Sequence, residues 1–154
     1  MNHGKEIAMP EDDAVGMFNL CCVIHSRNNL CMKDPTPSDL LAIATTADKF
    51  GCLEPMQFAA NVWLSSMDPE KIDRENPDIQ GLAKLMAAAA MLDQPVAFQK
   101  ITHQLMLHSN EPFDRLLGYI PDFDKSSLWP ILFRLEEGRT RMRNRLQDVI
   151  LSGL

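Results

Sequence analysis

No stretch of this sequence approaches the roughly 20 consecutive apolar residues needed to cross a bilayer. The longest run of small apolar side chains, Met86 to Leu92, closely follows Lys84. Nor is there a leader pattern: Met1 to Asp13 is polar and then acidic, unlike a signal peptide or an Arg-rich transit peptide. Positive charge is in deficit, with 15 Lys and Arg against 21 Asp and Glu and a formal net charge of −6. That balance disfavours binding nucleic acid or anionic membrane across a broad surface. Strand-type alternation is nearly missing, and Glu6 to Met9 is the one strand candidate. P-loop, dinucleotide fingerprint, nucleophile elbow, C-x-x-C and H-E-x-x-H motifs are all absent. The four cysteines, at positions 21, 22, 31 and 52, include an adjacent pair that makes an awkward disulfide framework. Reduced thiols in the cytoplasm or nucleus are the expectation.

Helical periodicity fills most of the 154 residues, enough for one compact domain or two very small ones. After Pro10, Asp12 or Asp13 can cap a first helix with inward stripe Met17, Leu20, Cys21 and Ile24, ending at Asn28 and Asn29. Ser38 is the expected cap of a second helix, with stripe Leu40, Ile43, Ala44 and Ala47 and a left-handed stop at Gly51. A third helix starts near Glu54, with Pro55 in its first turn and Met56, Ala59, Ala60 and Trp63 inward. The charged segment 68–77, with two prolines, reads as the internal linker. Helices from Asp78 to Leu92 and from Pro95 to Leu107 follow, then a loop from Ser109 to Lys125 with room for one helical turn. A last helix begins at Ser126 or Ser127 and runs almost to the end. The fold class is all-α with about six helices.

Candidate chemistry is sparse. Cys21 and His25 are spaced i, i+4 beside Cys22, yet zinc needs four ligands, and Cys21 falls on the core stripe. His103 and His108 are five apart and turn off a shared helical face. Asp12, Asp13, Asp122 and Asp124 read as caps and solvated loop charges more readily than as paired catalytic carboxylates. In the last helix Leu128, Leu132, Leu135, Arg139, Met142, Leu146 and Val149 step by four and three, a coiled-coil rhythm interrupted by Arg139. The simpler account docks its first half on the preceding helices and leaves its second half partly exposed. Arg134, Arg139, Arg141, Arg143 and Arg145 gather there too, but acidic residues share the helix and no aromatics interleave for base stacking.

Two strings go further. Met9-Pro10-Glu11-Asp12-Asp13 leads into the first helix, which ends on Cys22-Val23-Ile24-His25-Ser26-Arg27-Asn28. Ala47-Asp48-Lys49-Phe50-Gly51-Cys52 opens a run closing on Trp63-Leu64. Together they resemble fungal BTB/POZ-domain proteins, with Phe50 where that family usually has Tyr and Gly51 where it has Asp. A softer likeness continues through the alanine-rich helix and Leu135-Glu136-Glu137-Gly138-Arg139-Thr140-Arg141.

The resemblance implies that residues 1–67 correspond to the helical C-terminal half of a BTB/POZ domain, without its strand-rich first half. Residues 78–154 then resemble a BACK-like helical extension. The implied function is protein–protein interaction as an adaptor or scaffold, with no catalytic residue, cofactor or metal. Its partners would be other proteins, either a second copy or a cullin-type ubiquitin ligase scaffold, and neither nucleic acid nor membrane. Leu135, Arg139, Met142 and Leu146 offer a partner surface. Three alternatives stay open: a structural dimer through the last helix, a small Cys/His enzyme or metal protein using Cys22, His25 and Cys52, and a truncated product with exposed core.

Overall fold

Helix ends are where local chemistry is most specific, and they set the length of each element. The computed structural model describes residues 8–67, 77–121 and 125–153. Helix α1, Ala14–Ile24, is capped by Asp13, whose carboxylate accepts the Gly16 amide at 2.7 Å. It stops earlier than the two asparagines suggest. His25 is the C-cap and Ser26 takes a left-handed φ of 56°. The Arg27 amide then reaches back to the Cys22 carbonyl at 2.7 Å and Ser26 to Val23 at 3.0 Å, the paired bonds of a Schellman stop.

Helix α2, Pro37–Lys49, is capped by Thr36 and not by Ser38. Proline fits the first helical position, and this places Asp39 where it completes a reciprocal box with Thr36. Gly51, at φ 64°, sits in the same kind of stop, its amide on Asp48 and the Cys52 amide on Ala47. Helix α3 spans Leu53–Ser66, with Pro55 in its first turn. Asp78 caps α4, Ile79–Met91, and accepts the Gly81 amide at 2.8 Å. That helix closes through a third Schellman stop at Asp93, φ 49°. Helix α5 is Pro95–His108, and the expected helical turn is a 3₁₀ helix, Phe113–Tyr119. Helix α6, Lys125–Ser152, is the longest. Seven helices and no strand occur among the described residues. The strand expected at Glu6 to Met9 falls largely outside them, as does nearly all of the linker 68–77; Ala8 and Met9 are not in a strand.

Helix α4 is the hub. Every residue from Gly81 to Ala89 except Lys84 is buried, so it is a core helix and not a surface one. Its alanines let α2 and α5 approach closely, and the 3₁₀ helix packs on it too. The other walls come from Leu40, Ile43 and Ala44 of α2, Ile101 and Leu105 of α5, and Leu128, Leu132 and Leu135 of α6. One hydrophobic cluster therefore runs from Leu20 to Leu135, through the helices on both sides of segment 68–77. Removing a large member such as Met86, fully buried, costs about 2–5 kcal/mol when cut to alanine.

Candidate interaction surface

The two strings that carry the family resemblance meet in space. Lys49 donates to the Asp12 carboxylate at 2.6 Å, joining the approach to α1 with the end of α2. That hydrogen bond holds the Lys49 ammonium above its usual pKa. Pro10, Glu11 and Asp13 are exposed at the helix entrance, Asp13 as cap. His25, Arg27 and Asn28 are exposed around the α1 stop, where the Arg27 backbone holds the turn. Ala47 is fully buried, whereas Asp48 is exposed and contributes its carbonyl to the Gly51 stop. Cys52 is the residue before α3, with its thiol on the Phe50 carbonyl at 3.3 Å. Trp63 is buried and donates its indole N–H to the Met32 carbonyl at 2.8 Å, and Leu64 is buried beside it. Of these, Asp12 with Lys49, Trp63 with Met32, and buried Ala47 and Leu64 tie the first three helices and their connections together, and the rest stand at exposed helix ends.

Helix α1 is rotated relative to the stripe its sequence suggests. The buried residues are Gly16, Asn19, Leu20 and Cys22, while Cys21 and Ile24 are exposed. Gly16 causes the rotation. It lies so close to α2 that a β-carbon there would meet the Ala42 carbonyl oxygen at 2.6 Å and the Thr46 hydroxyl. Asn19 follows it inward, donating to the Val15 carbonyl at 2.9 Å and accepting the Met32 amide at 2.8 Å. The opposite face, Ala14, Phe18 and Cys21 flanked by Ile24, is left bare, with Phe18 55% exposed. Phe18 was not singled out from sequence. The signal was a glycine and an asparagine three apart in an otherwise apolar helix.

The seam proposed for α6 divides at Arg139. Leu135 and Arg139 belong to the chain's own core and are not free surface, at 6% exposure each. Arg139 donates to the Ser109 and Glu111 carbonyls at 3.1 and 2.8 Å, clamps both Glu136 oxygens at 2.7 and 2.6 Å, and lies 4.4 Å from the Phe113 ring centre. It does not interrupt a docking seam; it satisfies the turn after α5. Met142 is half-buried, and Leu146, Val149, Ile150 and Leu151 are exposed. Trp129 and Phe133, one turn apart on α6, are exposed aromatics that the heptad pattern passes over. Arg134, Arg141, Arg143 and Arg145 are exposed, with Arg141 3.6 Å from Glu137.

Among the described residues no three His, Cys, Asp or Glu side chains gather where they could hold a metal ion, so Cys22, His25 and Cys52 do not converge on one. Asp122 and Asp124 lie outside the described residues. His103 is exposed and His108 half-buried on α5. A cleft of about 1040 Å³ opens between α3, α4 and the start of α5, with Leu64, Leu82 and Ile101 deep in it and Lys100 on its wall. No helix among the described residues is long and apolar enough to cross a membrane. No protein-family model, curated protein or solved structure matches the chain.

Proposed function

We propose that this chain works by binding other proteins, without chemistry of its own, as an interaction module of the BTB/POZ type. One observation carries the reading: α1 is apolar on every side. Its single polar side chain, Asn19, is turned inward, while Phe18, Cys21 and Ile24 face solvent. A helix hydrophobic all round belongs in a buried position, so its bare face is suited to a partner. Burying that face drives association, and the rim sets orientation, with Glu11 at one end and His25 and Arg27 at the other. The family reading rests on the paired strings, and the Asp12–Lys49 bridge gives one member of each a common structural purpose. On it, residues 1–67 are the helical half of the domain and 78–154 the BACK-like extension, acting as adaptor or scaffold in the cytoplasm or nucleus.

The test is a tagged capture from a fungal lysate with wild type and Phe18→Glu, both checked for native helicity. Recovery of a cullin by wild type and its loss from Phe18→Glu is the expected result. Equal recovery by both, or recovery of chaperones alone, overturns the reading. A second reading is a structural dimer through α6, favoured by Leu146, Val149 and Ile150 standing exposed on one stretch of helix. Light scattering decides it. A dimer converted to monomer by Leu146→Asp supports the second reading, and a monomeric wild type at micromolar concentration removes it.

A further inference from the structure

The turn that follows α1 folds back along the helix it has just left. Its first tie is the Arg27 amide on the Cys22 carbonyl at 2.7 Å, and the Leu30 amide then closes on the Arg27 carbonyl at 2.9 Å. The same carbonyl accepts the Cys31 thiol at 3.9 Å. One residue later, Met32 is anchored twice, its amide on the Asn19 side chain and its carbonyl under the Trp63 indole, both at 2.8 Å. Asn19 and Cys22 are both on the buried side of α1, three residues apart. A backbone pinned to Asn19 at Met32 and to Cys22 at Arg27 brings Cys31 back beside the Cys22 turn of α1, with Cys22 the neighbouring group that acts on its thiol. Cys22 is 5% exposed, whereas Cys31 is open enough to meet a small molecule from solvent. The other thiols are placed differently. Cys21 is exposed, although adjacent in sequence to Cys22, and Cys52 is engaged with the Phe50 carbonyl.

We propose that Cys22 and Cys31 are an oxidative modification site, closing a reversible disulfide in response to hydroperoxides and so clamping the turn between them onto α1. The chemistry balances with hydrogen peroxide as the oxidant. The Cys31 sulfur attacks one peroxide oxygen; an S–O bond forms, the O–O bond breaks, and the departing hydroxide takes the thiol proton as water. The Cys22 sulfur then attacks the Cys31 sulfenic acid; the S–S bond forms, the S–O bond breaks, and the hydroxide leaves as water with the Cys22 proton. Both sulfurs are oxidised by one peroxide, which is reduced to two waters, and a dithiol reverses the change. Burial, and then the neighbouring Cys22, push the Cys31 thiol above its ordinary pKa, which keeps it protonated and slows its attack on peroxide. This device is independent of the interaction role proposed above.

Sequence proximity alone does not choose between Cys21 and Cys22 as the partner of Cys31. Their separations differ by a single residue, and loop-closure entropy scarcely distinguishes them. The fold does choose, which gives a sharp experiment. The full chain is treated with hydrogen peroxide under native conditions and in urea, remaining thiols are alkylated, and links are assigned by tandem mass spectrometry. Native protein should yield the Cys22–Cys31 link, with Cys21 and Cys52 alkylated, whereas the unfolded chain should give Cys21–Cys31 and Cys22–Cys31 in comparable amounts. Cys21→Ser should retain the native link, and Cys22→Ala should lose it. The proposal is overturned if native protein gives the same mixture as urea, links Cys31 to Cys21 or Cys52, or oxidises Cys31 to the sulfinic acid with no link formed.

Discussion

Replacing Arg139 by alanine removes a cation that the fold has wrapped from three sides, and the cost can be built up from its partners. The Ser109 carbonyl is buried and loses its donor, a penalty of about 1–3 kcal/mol for an unpaired polar group. The Glu111 carbonyl belongs to an exposed residue, so water replaces the guanidinium there at little cost. The Glu136 side chain is 45% exposed, which limits its paired contribution to about 0–1 kcal/mol despite two short bonds. Loss of the cation over the Phe113 ring adds about 0.5–2 kcal/mol. Arg139→Ala should therefore lose about 1.5–6 kcal/mol, lowering Tm by roughly 3–24 °C in a chain of this size. Arg139→Lys should fall between, because one compact ammonium cannot span two carbonyls and a carboxylate as the planar fork does. Urea unfolding followed by circular dichroism reads both. A change below about 0.5 kcal/mol for Arg139→Ala, the range of ordinary surface substitutions, would mean that the residue faces solvent and the burial argument fails.

Gly16→Ala should destabilise by about 1–3 kcal/mol, because the new methyl meets the Ala42 carbonyl across the α1–α2 contact; an unfolding midpoint raised by helix propensity alone would contradict the close approach. Trp63→Phe should cost about 1–3 kcal/mol, since the Met32 carbonyl loses its indole donor, and a neutral result in urea unfolding would refute that bond. Phe18→Ser should leave stability within about 0.5 kcal/mol of wild type, as expected of an uncovered position; a large loss in thermal melts would show that α1 is covered on that side. The hydrogen bonds from Arg139 hold the Glu136 carboxyl below its usual pKa, so the folded chain binds that proton less readily than the unfolded one. The contribution is present above the ordinary carboxylate range and is lost as pH falls through the lowered value. Stability measured against falling pH should therefore decline less steeply in Glu136→Gln, and an identical acid limb would refute the assignment.

Helix existence was legible wherever a stop or start obeys a residue-type rule. Gly51 announced the end of α2 because glycine takes a positive φ without steric cost, and Asp13 announced α1 because a short carboxylate can reach an amide three residues on. The end of α1 uses the same Schellman bonds as α2, but with Ser26 in the left-handed position, and serine there carries no comparable signal. Likewise Thr36 and Ser38 are both plausible caps in isolation. The choice depends on Asp39 closing a box with one of them, a reciprocal bond that single-residue preference does not contain.

Which face of an apolar helix turns inward is a harder problem than where the helix ends. In α2 Ser38, Asp48 and Lys49 mark the outside, and periodicity suffices although Thr46 turns inward. In α1 nearly every position is apolar, so no rotation is excluded by hydrophobic content, and the orientation is settled by shape: Gly16 allows a closer approach to α2 than any residue with a β-carbon. Asn19 then becomes a buried polar group, tolerable only because Val15 and Met32 satisfy it. Arg139 obeys the same logic at the other end of the chain. A charge at a seam position reads as a defect when only the helix is considered, and as the required donor once the buried Ser109 carbonyl is beside it. In both places a residue that breaks the hydrophobic pattern marks where two elements meet most specifically. Bare apolar side chains remain on α1, on α3 at Phe58 and Val62, and along α6 from Trp129 to Leu151.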